Sequence, residues 1–384
     1  MPAPTSISPR YLDPRSGRTW PVDPPRWRAD DGAPLMLTPM PGITRREIAS
    51  GTRSLWRYRR ALPVADDVEP VSLGEGCTPL IVREVAGARA HLKLEWFAPT
   101  GSFKDRGASV MLTALRAQGV TAVLEDSSGN GGAAIAAYAA AAGMAATILV
   151  PASTSPAKIV QMKAAGATIE LVPGTRQDCA EAALARAETI FYASHNWHPF
   201  FLQGTKTLAY ELWEDLGFRA PDNVIIPCGA GSNVLGCDLG FGELLRAGEI
   251  DRLPRLFAVQ PANVAPIAAA FAAGSDAPVP CTIASTIAEG TAIAHPIRLA
   301  EVLGAIRRSG GAAVTVTEAE IEAALFALAR SGLYVEPTCA TTAAAFANLL
   351  LDGTIGPEET TVLVLTGTGL KATQRIAALM GMEV

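Results

Sequence analysis

The chain has 384 residues, which at roughly 100–200 residues per domain is enough for two or three domains. It is 49% apolar and only 18% charged, so it can bury a large core and is not disordered. The net charge of −5 disfavours a nucleic-acid partner. The four histidines and six cysteines lack the close spacings of zinc ribbons and fingers, which predicts no metal site. An enzyme with this composition therefore needs other chemistry than a metal ion or a histidine triad.

The sequence also predicts no membrane partner. Residues 1–10 lack the apolar segment of a signal peptide. Residues 127–157 carry no charge, but they are rich in alanine and interrupted by glycines and a proline, which is typical of a buried helix and strand rather than a membrane span. We therefore expect a cytoplasmic protein with reduced cysteines.

The order of predicted elements indicates an α/β fold. Residues 1–70 are rich in proline and arginine and predict an irregular N-terminal extension that packs on a domain. Strands are predicted at 91–94, 121–125, 145–150, 168–172, 223–228, 256–260 and 361–365. Helices are predicted at 102–118, 131–142, 156–165, 176–190, 233–247, 318–331 and 370–380. This alternation predicts two doubly wound α/β domains with mostly parallel sheets, in which ligands bind beyond the carboxyl ends of the strands.

Lys104 occupies an unusual place for a cation. Ser102 and Asp105 have the spacing of a capping box, which puts Lys104 in the first turn of a helix. The positive end of the helix dipole disfavours an ammonium group there and helps to keep the amine neutral, as a Schiff-base lysine requires. The alternative is a solvated lysine beside an ordinary helix cap.

A loop of small polar residues follows the strand predicted at 121–125. It consists of Ser127, Ser128, Gly129, Asn130 and Gly131. Its backbone N–H groups could hold a carboxylate, and the amide of Asn130 could bond a ring hydroxyl. An ordinary strand–helix turn would explain the glycines equally well.

A second loop of this kind follows the strand predicted at 223–228. It consists of Gly229, Ala230, Gly231, Ser232 and Asn233. Such a loop at a helix start can cradle a phosphate, yet its glycine spacing fits neither a dinucleotide fingerprint nor a P-loop. The loop therefore suggests a small phosphorylated cofactor, with an ordinary turn as the alternative.

Thr366 follows the last predicted strand and offers a neutral hydroxyl to a ring nitrogen, although it could also belong to an ordinary turn. Together with Lys104 and the two loops, it completes the parts needed to hold pyridoxal phosphate. A nicotinamide dehydrogenase is disfavoured, because the next strand after the second loop ends at Gln260 rather than at an acid.

With these motifs in place, the chain resembles the β-family (fold type II) of pyridoxal-phosphate enzymes, and most of all threonine synthases and threonine dehydratases. The resemblance rests on Ser-Phe-Lys-Asp-Arg-Gly at 102–107, Leu-Trp-Arg-Tyr at 55–58 and the segment 72–80. It implies pyridoxal 5′-phosphate in a cleft between two domains, and a homodimer. The implied division is an extension at 1–70, a large cofactor-binding domain at 71–107 and 200–384, and a small substrate-binding domain at 108–199.

The resemblance also implies roles for single residues. Lys104 would hold the cofactor as a Schiff base and, once freed, take the proton from the substrate Cα. The other cofactor-binding residues would be Phe103, Asn130, Gly229, Ala230, Gly231, Ser232, Asn233 and Thr366. The substrate carboxylate would bind to Ser127, Ser128, Gly129 and Gly131. A neutral Thr366 leaves the ring nitrogen largely unprotonated, which favours prompt loss of a group from Cβ.

One stretch departs from the threonine-synthase pattern. Those enzymes resemble one another around Asn-Ser-x-Asn-Pro-Tyr-Arg, whereas residues 195–201 read His-Asn-Trp-His-Pro-Phe-Phe. Phe201 stands in the position of the arginine expected to bind a substrate phosphate, and a phenyl ring cannot replace it. We expect His195, His198 and Phe201 to shape the substrate pocket, with simple packing as the alternative. Glu336 resembles the dehydratase pattern and is expected at the substrate.

These features predict a lyase that acts on a small L-amino acid by Cα deprotonation and β-elimination, as a dehydratase or by β-replacement. The alternative is a true threonine synthase that converts O-phosphohomoserine to threonine. A non-catalytic binding protein on the same fold is a further alternative, which the retained Lys104 disfavours.

Overall fold

A computed structural model of the chain describes residues 9–382. These residues form two compact units. Unit 1 comprises the residues up to Glu75, Lys104–Thr207 and Gly242–Glu249. Unit 2 comprises Gly76–Phe103, Leu208–Phe241 and the residues from Ile250 onward. The predicted boundaries of the extension and the two domains stay a prediction.

Within residues 9–382 the strands are β1 Arg10–Leu12, β2 Thr19–Pro21, β3 Met36–Leu37, β4 Leu80–Val85, β5 Ala88–Leu94, β6 Ala122–Glu125, β7 Ala145–Pro151, β8 Thr168–Val172, β9 Phe191–Tyr192, β10 Asn223–Pro227, β11 Arg255–Pro261, β12 Ala312–Val316 and β13 Thr361–Leu365. The α-helices are α1 Lys104–Ala117, α2 Asn130–Ala142, α3 Pro156–Ala164, α4 Arg176–Arg186, α5 Pro199–Thr205, α6 Thr207–Asp215, α7 Ser232–Arg246, α8 Pro266–Ala272, α9 Leu299–Arg308, α10 Glu318–Arg330, α11 Pro337–Leu351 and α12 Thr373–Leu379.

Unit 1 is built on a four-stranded sheet in the order β8-β7-β6-β9, in which every pairing is parallel. The strands are short apolar runs, as expected where helices cover both faces of a sheet. Helix α2 connects β6 to β7, and four of its alanines are buried in the same core as α1 and the start of α5, namely Ala133, Ala134, Ala136 and Ala139. The parallel arrangement brings the carboxyl ends of β6 and β9 to the same edge, where both strands lead into candidate site residues.

The N-terminal segment contains a small antiparallel sheet in the order β2-β1-β3. Tyr11 of β1 is fully buried, and its ring meets that of Phe200 edge-on at 6.1 Å between centroids. The segment thus packs on the core of unit 1. The sequence predicted only irregular structure there, because strands of two or three residues are too short to produce a readable alternation.

Unit 2 is built on a six-stranded sheet in the order β12-β11-β10-β13-β5-β4. All pairings are parallel except that of β4 with β5 at one edge. Every residue of β10 and β13 is buried. These two strands are neighbours, so the loops at their carboxyl ends lie side by side.

The predicted α/β class with two mostly parallel sheets is confirmed. Several helix ends differ: α1 begins at Lys104 rather than at 102, and α4 ends at Arg186 rather than at 190. The last predicted helix is instead a 3-10 turn, Gly369–Ala372, followed by α12. The sequence missed β4, β9, α5, α6, α8, α9, β12 and α11. Helix α11 is mostly buried, so its sequence of mainly small and apolar residues lacks the 3.6-residue pattern that marks an amphipathic helix.

Within residues 9–382, no helix is long and apolar enough to cross a membrane. In the same part of the chain, no three histidine, cysteine or acidic side chains come together as metal ligands. The six cysteines are all free thiols.

Candidate active site

Lys104 is the first residue of α1, so the predicted place of its amine in the first helical turn is correct. The predicted capping box is wrong. The Ser102 hydroxyl is buried and has no hydrogen-bond partner within residues 9–382, so it does not cap the helix. The spacing of a cap is a local signal, and here α1 begins only at Lys104, two residues after Ser102.

Close packing of α1 on α5 brings an aromatic ring to the lysine. A Cβ at Gly107 would lie 2.5 Å from ring atoms of Phe201, and one at Gly204 would lie 2.0 Å from the Arg106 carbonyl oxygen. Only glycine allows this approach at either position. Phe201 is fully buried as a result, and the Lys104 ammonium nitrogen lies 5.7 Å from the centroid of its ring.

The loop after β6 leads directly into α2. Gly129 precedes the helix and donates its N–H to the Ser127 hydroxyl over 3.4 Å. A Cβ at Gly132 would lie 2.0 Å from the Ser127 carbonyl oxygen, so the loop folds back tightly on the first turn of α2. Ser128, Gly129 and Asn130 are at least partly exposed, so the start of the helix is open to an anion.

His195 lies beneath this loop and is bonded to a buried acid. Its Nδ1 is 3.0 Å from Oε2 of Glu125, and its backbone N–H donates to the same oxygen over 3.0 Å. A Cβ at Gly131 would come within 2.7 Å of the imidazole, so glycine lets the ring lie against the loop. Burial lowers the pKa of His195 well below its ordinary value, and the positive charge of Lys104 lowers it further.

His198 has different surroundings from His195. It is 1% exposed, precedes α5, and its ring lies between those of Phe191 at 5.8 Å and Phe200 at 5.6 Å. These contacts favour the packing alternative, and a contact with substrate stays a prediction.

In unit 2, the loop after β10 forms a narrow cradle at the start of α7. Gly231 has φ +91°, and a Cβ there would lie 2.3 Å from a methyl carbon of Val302. Asn233 is 3% exposed, and within residues 9–382 neither polar atom of its side chain has a hydrogen-bond partner. A buried, unsatisfied amide costs free energy unless a ligand completes its hydrogen bonds.

Thr366 follows β13 and is held by three segments. The Phe103 N–H donates to its carbonyl oxygen over 3.0 Å, and its hydroxyl lies 3.3 Å from Oε1 of Glu336. Cys339 holds Gly367, the residue after Thr366, because its Sγ accepts a hydrogen bond from the Gly367 N–H over 3.2 Å. Burial raises the pKa of the Cys339 thiol, so it stays protonated.

The structure thus groups the predicted residues within each unit. In unit 1, His195 lies against the loop that begins at Ser127, and the Phe201 ring lies beside both His195 and Lys104, whereas His198 belongs to the packing of α5. In unit 2, Phe103, Glu336 and Thr366 are in contact, and the glycine loop lies at the end of the neighbouring strand.

Sequence reasoning missed Glu125 and Cys339. Glu125 is the only charged residue of the apolar strand β6, and that position was an available signal for a buried, bonded acid. For Cys339 no local pattern pointed to the contact with Gly367, because it forms between distant segments of the chain.

The residues present fit pyridoxal phosphate. At Gly231 a Cβ would fill the space of the cradle. The unsatisfied amide of Asn233, at the start of α7, would donate a hydrogen bond to a phosphate. The amine of Lys104, at the start of α1, would form the Schiff base with the cofactor. The individual roles remain predictions.

Comparison with known proteins agrees with this geometry. The sequence family described as "Pyridoxal-phosphate dependent enzyme" matches residues 71–367. The threonine synthase of Methanocaldococcus jannaschii is 37% identical over 325 residues, covering 83% of this chain and 80% of the relative. The threonine synthase of Mycobacterium bovis is 37% identical over 322 residues, covering 82% and 87% of the two chains.

Solved structures show the same fold. A fungal L-serine ammonia-lyase from Rhizomucor miehei superposes with a TM-score of 0.70 at 21% identity, covering 82% of this chain and 99% of that one. Threonine deaminase isoform 2 from Solanum lycopersicum gives 0.68 at 22% identity, with coverage of 90% and 91%. The chain belongs to the pyridoxal-phosphate-dependent enzyme family and is a threonine-synthase-like lyase that uses pyridoxal 5′-phosphate.

Proposed function

We propose that this lyase removes a hydroxyl or another leaving group from Cβ of a small, unphosphorylated L-amino acid, as an ammonia-lyase or by β-replacement. The observation that carries the proposal is Phe201. Its ring is fully buried beside Lys104 and His195, where threonine synthases are expected to have an arginine. An arginine binds phosphate through two parallel hydrogen bonds, and a phenyl ring offers none.

The proton chemistry falls to Lys104. Its amine, at the positive end of α1, would take the proton from the substrate Cα. When bound, pyridoxal phosphate supplies the electron sink for the charge left on that carbon. The loop containing Ser127, Ser128, Gly129 and Gly131 would hold the substrate carboxylate through backbone N–H groups at the start of α2.

We propose that the cofactor is bound by Lys104, Phe103, Asn130, Gly229, Ala230, Gly231, Ser232, Asn233 and Thr366. The Thr366 hydroxyl is a neutral partner for the ring nitrogen, which it would leave largely unprotonated. A weaker electron sink favours prompt departure of the group on Cβ over a longer-lived carbanion.

We propose narrower roles for His198 and Glu336. Glu336 is 8% exposed and lies 3.3 Å from the Thr366 hydroxyl, so it would orient that hydroxyl as well as meet the substrate. His198 would shape the pocket indirectly, through the packing of α5.

A threonine synthase is the second candidate, because relatives with that activity are 37% identical over most of the chain. We also propose that the protein acts in the cytoplasm, consistent with its six free thiols, and that it forms a homodimer as its resemblance to fold type II enzymes implies. The functional domains proposed are an extension at 1–70, a large domain at 71–107 and 200–384, and a small one at 108–199.

A panel of amino acids tests the proposed function. The holoenzyme is incubated with L-threonine, L-serine, 2,3-diaminopropionate and O-phosphohomoserine, and ammonia, 2-oxo acids and threonine are measured. We expect 2-oxo acid from one or more of the first three compounds. Turnover of O-phosphohomoserine alone, with threonine as product, would overturn the proposal in favour of the second candidate.

A further inference from the structure

The four-stranded sheet of unit 1 brings Glu125 and His195 together. Glu125 is the last residue of β6, and His195 follows the parallel neighbour β9. The register pairs Leu124 with Tyr192, and the Ala193 N–H donates to the Leu124 carbonyl oxygen over 2.9 Å. Two adjacent strands therefore end together and hold the acid and the imidazole in fixed contact, with Nδ1 to Oε2 at 3.0 Å.

The imidazole borders the candidate site on its other side. A Cβ at Gly131 would lie 2.7 Å from the ring and 2.9 Å from the Ser127 hydroxyl, so ring and loop are in direct contact. The centroids of His195 and Phe201 are 5.8 Å apart, and Lys104 lies 5.7 Å from the same Phe201 ring. Within residues 9–382 Nε2 of His195 makes no hydrogen bond and is not among the fully buried polar atoms, so it is the ring atom open to a ligand.

Burial favours the neutral form of both members of the pair. Burial raises the pKa of Glu125 and lowers that of His195. Of the charged groups around the imidazole, Lys104 on α1 and Arg176 on α4 lower its pKa, whereas Asp126 raises it. A protonated Glu125 would donate to Nδ1, which places the single proton of the neutral ring on Nε2.

Asp126 completes the surroundings of the pair. Burial raises its pKa, while the positive charge of Arg176, 3.5 Å from its carboxylate, lowers it. Tyr192 on β9 donates its hydroxyl to the same carboxylate over 2.8 Å. Asp126 is thus bonded to its own partners and leaves Glu125 as the acid that serves His195.

We propose that Glu125 and His195 form a proton-donating pair that protonates a hydroxyl leaving group as it departs from Cβ of the substrate. The inference rests on the proposed function. A carboxylate bound at the Ser127 loop would hold Cβ two bonds from the carboxyl carbon, and the imidazole lies against that loop at Gly131.

The step balances. The Cβ–O bond breaks and its electron pair leaves with oxygen, which takes the proton from Nε2 and departs as water. The Glu125 proton moves to Nδ1, so the pair ends as a carboxylate and a neutral imidazole, and no imidazolium forms in the buried site. Lys104 holds the proton removed from Cα, and solvent returns a proton to Glu125 before the next turnover.

Leaving-group chemistry explains why this chain would need the pair. Hydroxide departs poorly unless it is protonated, whereas phosphate and chloride depart without a proton. His195 stands where the threonine-synthase pattern has an asparagine, whose amide cannot transfer a proton. The change to histidine and the change to Phe201 both suit a hydroxyl leaving group.

Kinetics with two leaving groups test the role. His195→Asn and Glu125→Gln holoenzymes are compared with wild type on L-serine and on β-chloro-L-alanine, and His91→Asn, a half-buried histidine of β5, is the matched control. We expect kcat for serine to fall by about 10²–10⁴-fold in both variants, as for loss of a general acid, and kcat for β-chloroalanine to change less than about threefold. Retained chloride elimination shows that the variants are folded.

Several results would overturn the inference. Equal losses on both substrates would mean a structural role. Wild-type turnover of β-chloroalanine but of no β-hydroxy amino acid would sink the inference and leave the proposed function intact. Wild-type turnover of O-phosphohomoserine alone would remove the proposed function itself.

A spectroscopic measurement tests the pair without turnover. The chain has four histidines, so ¹⁵N NMR of the labelled holoenzyme, with His195→Asn to assign the signal, reports the His195 tautomer. We expect a neutral ring protonated on Nε2 at neutral pH. In Glu125→Gln the amide oxygen would accept both the His195 backbone N–H and Nδ1–H, so the ring proton should move to Nδ1. An imidazolium, or Nδ1–H already in wild type, contradicts the inference.

Discussion

Two loops of this chain have the same arrangement between a strand and a helix but differ in the side chains buried beneath them. The loop after β6 and the loop after β10 each connect a buried strand to the start of a helix through small residues. Beneath the first lie Glu125, Asp126 and His195, buried groups whose pKa values are shifted toward their neutral forms.

Beneath the second loop lie neutral groups. Cys228 is fully buried, and burial raises its pKa to about 12, while Val302 closes the space at Gly231. Under the proposed function, loops with the same backbone arrangement would serve two purposes. The second loop would hold an anion that stays bound, whereas the first would hold a substrate that exchanges protons with the protein.

The largest effect is expected for Lys104→Ala. It would remove both the amine proposed to hold the cofactor and the proposed base at Cα, so we expect turnover to fall by about 10⁴-fold or more and the visible Schiff-base absorbance to disappear. Lys163→Ala, on the exposed face of α3, is the control and should behave as wild type. If Lys104→Ala had the absorbance and turnover of the wild type, Lys104 would not have the proposed role.

The next largest effect is expected in the loop after β6. Gly132→Ala would place a Cβ 2.0 Å from the Ser127 carbonyl oxygen, and we expect the free energy of unfolding to fall by about 2–3 kcal/mol. At Gly129 a Cβ meets no atom within 4 Å, so Gly129→Ala should cost less than about 1 kcal/mol. Urea unfolding of both variants measures the difference, and equal costs would mean that the loop is not tightly folded.

A smaller effect is expected in the loop after β10. Asn233→Ala removes a buried amide that is unsatisfied within residues 9–382 but that would donate to a bound phosphate. We expect cofactor affinity to weaken by about tenfold, or ~1.4 kcal/mol, with no loss of stability in the cofactor-free protein. Fluorescence titration with pyridoxal phosphate reports the affinity. An unchanged affinity would place the phosphate elsewhere.

The smallest effect concerns pH and sharpens the contrast between the loops. Because the pKa of folded His195 lies well below its ordinary value of 6.5, the unfolded chain takes up a proton below about pH 6.5 that the folded chain does not. Stability should therefore fall by up to about 1.4 kcal/mol per pH unit on acidification, and His195→Asn should lack this contribution. Urea unfolding at pH 7 and pH 5 tests this, with His295→Asn, an exposed histidine, as control. The same slope in wild type and His195→Asn would mean that His195 is not buried neutral.

Local signals in the sequence predicted much of this structure. Apolar strands followed by glycine-rich turns identified both loops, and the position of Lys104 at the start of α1 followed from its neighbours. Ser102 shows the limit of such signals: its spacing to Asp105 fits a cap, yet the hydroxyl has no hydrogen-bond partner in the described part of the chain. The contact of Glu125 with His195 depends on the pairing of β6 with β9, which no pattern within either segment specifies.

The most direct test of the central claim is a competition between L-serine or L-threonine and O-phosphohomoserine in one reaction with the holoenzyme. NMR of the products gives the ratio of kcat/KM values without separate assays. The account predicts that the β-hydroxy amino acid is consumed and 2-oxo acid accumulates while O-phosphohomoserine persists. Preferential consumption of O-phosphohomoserine, with threonine as product, would contradict it.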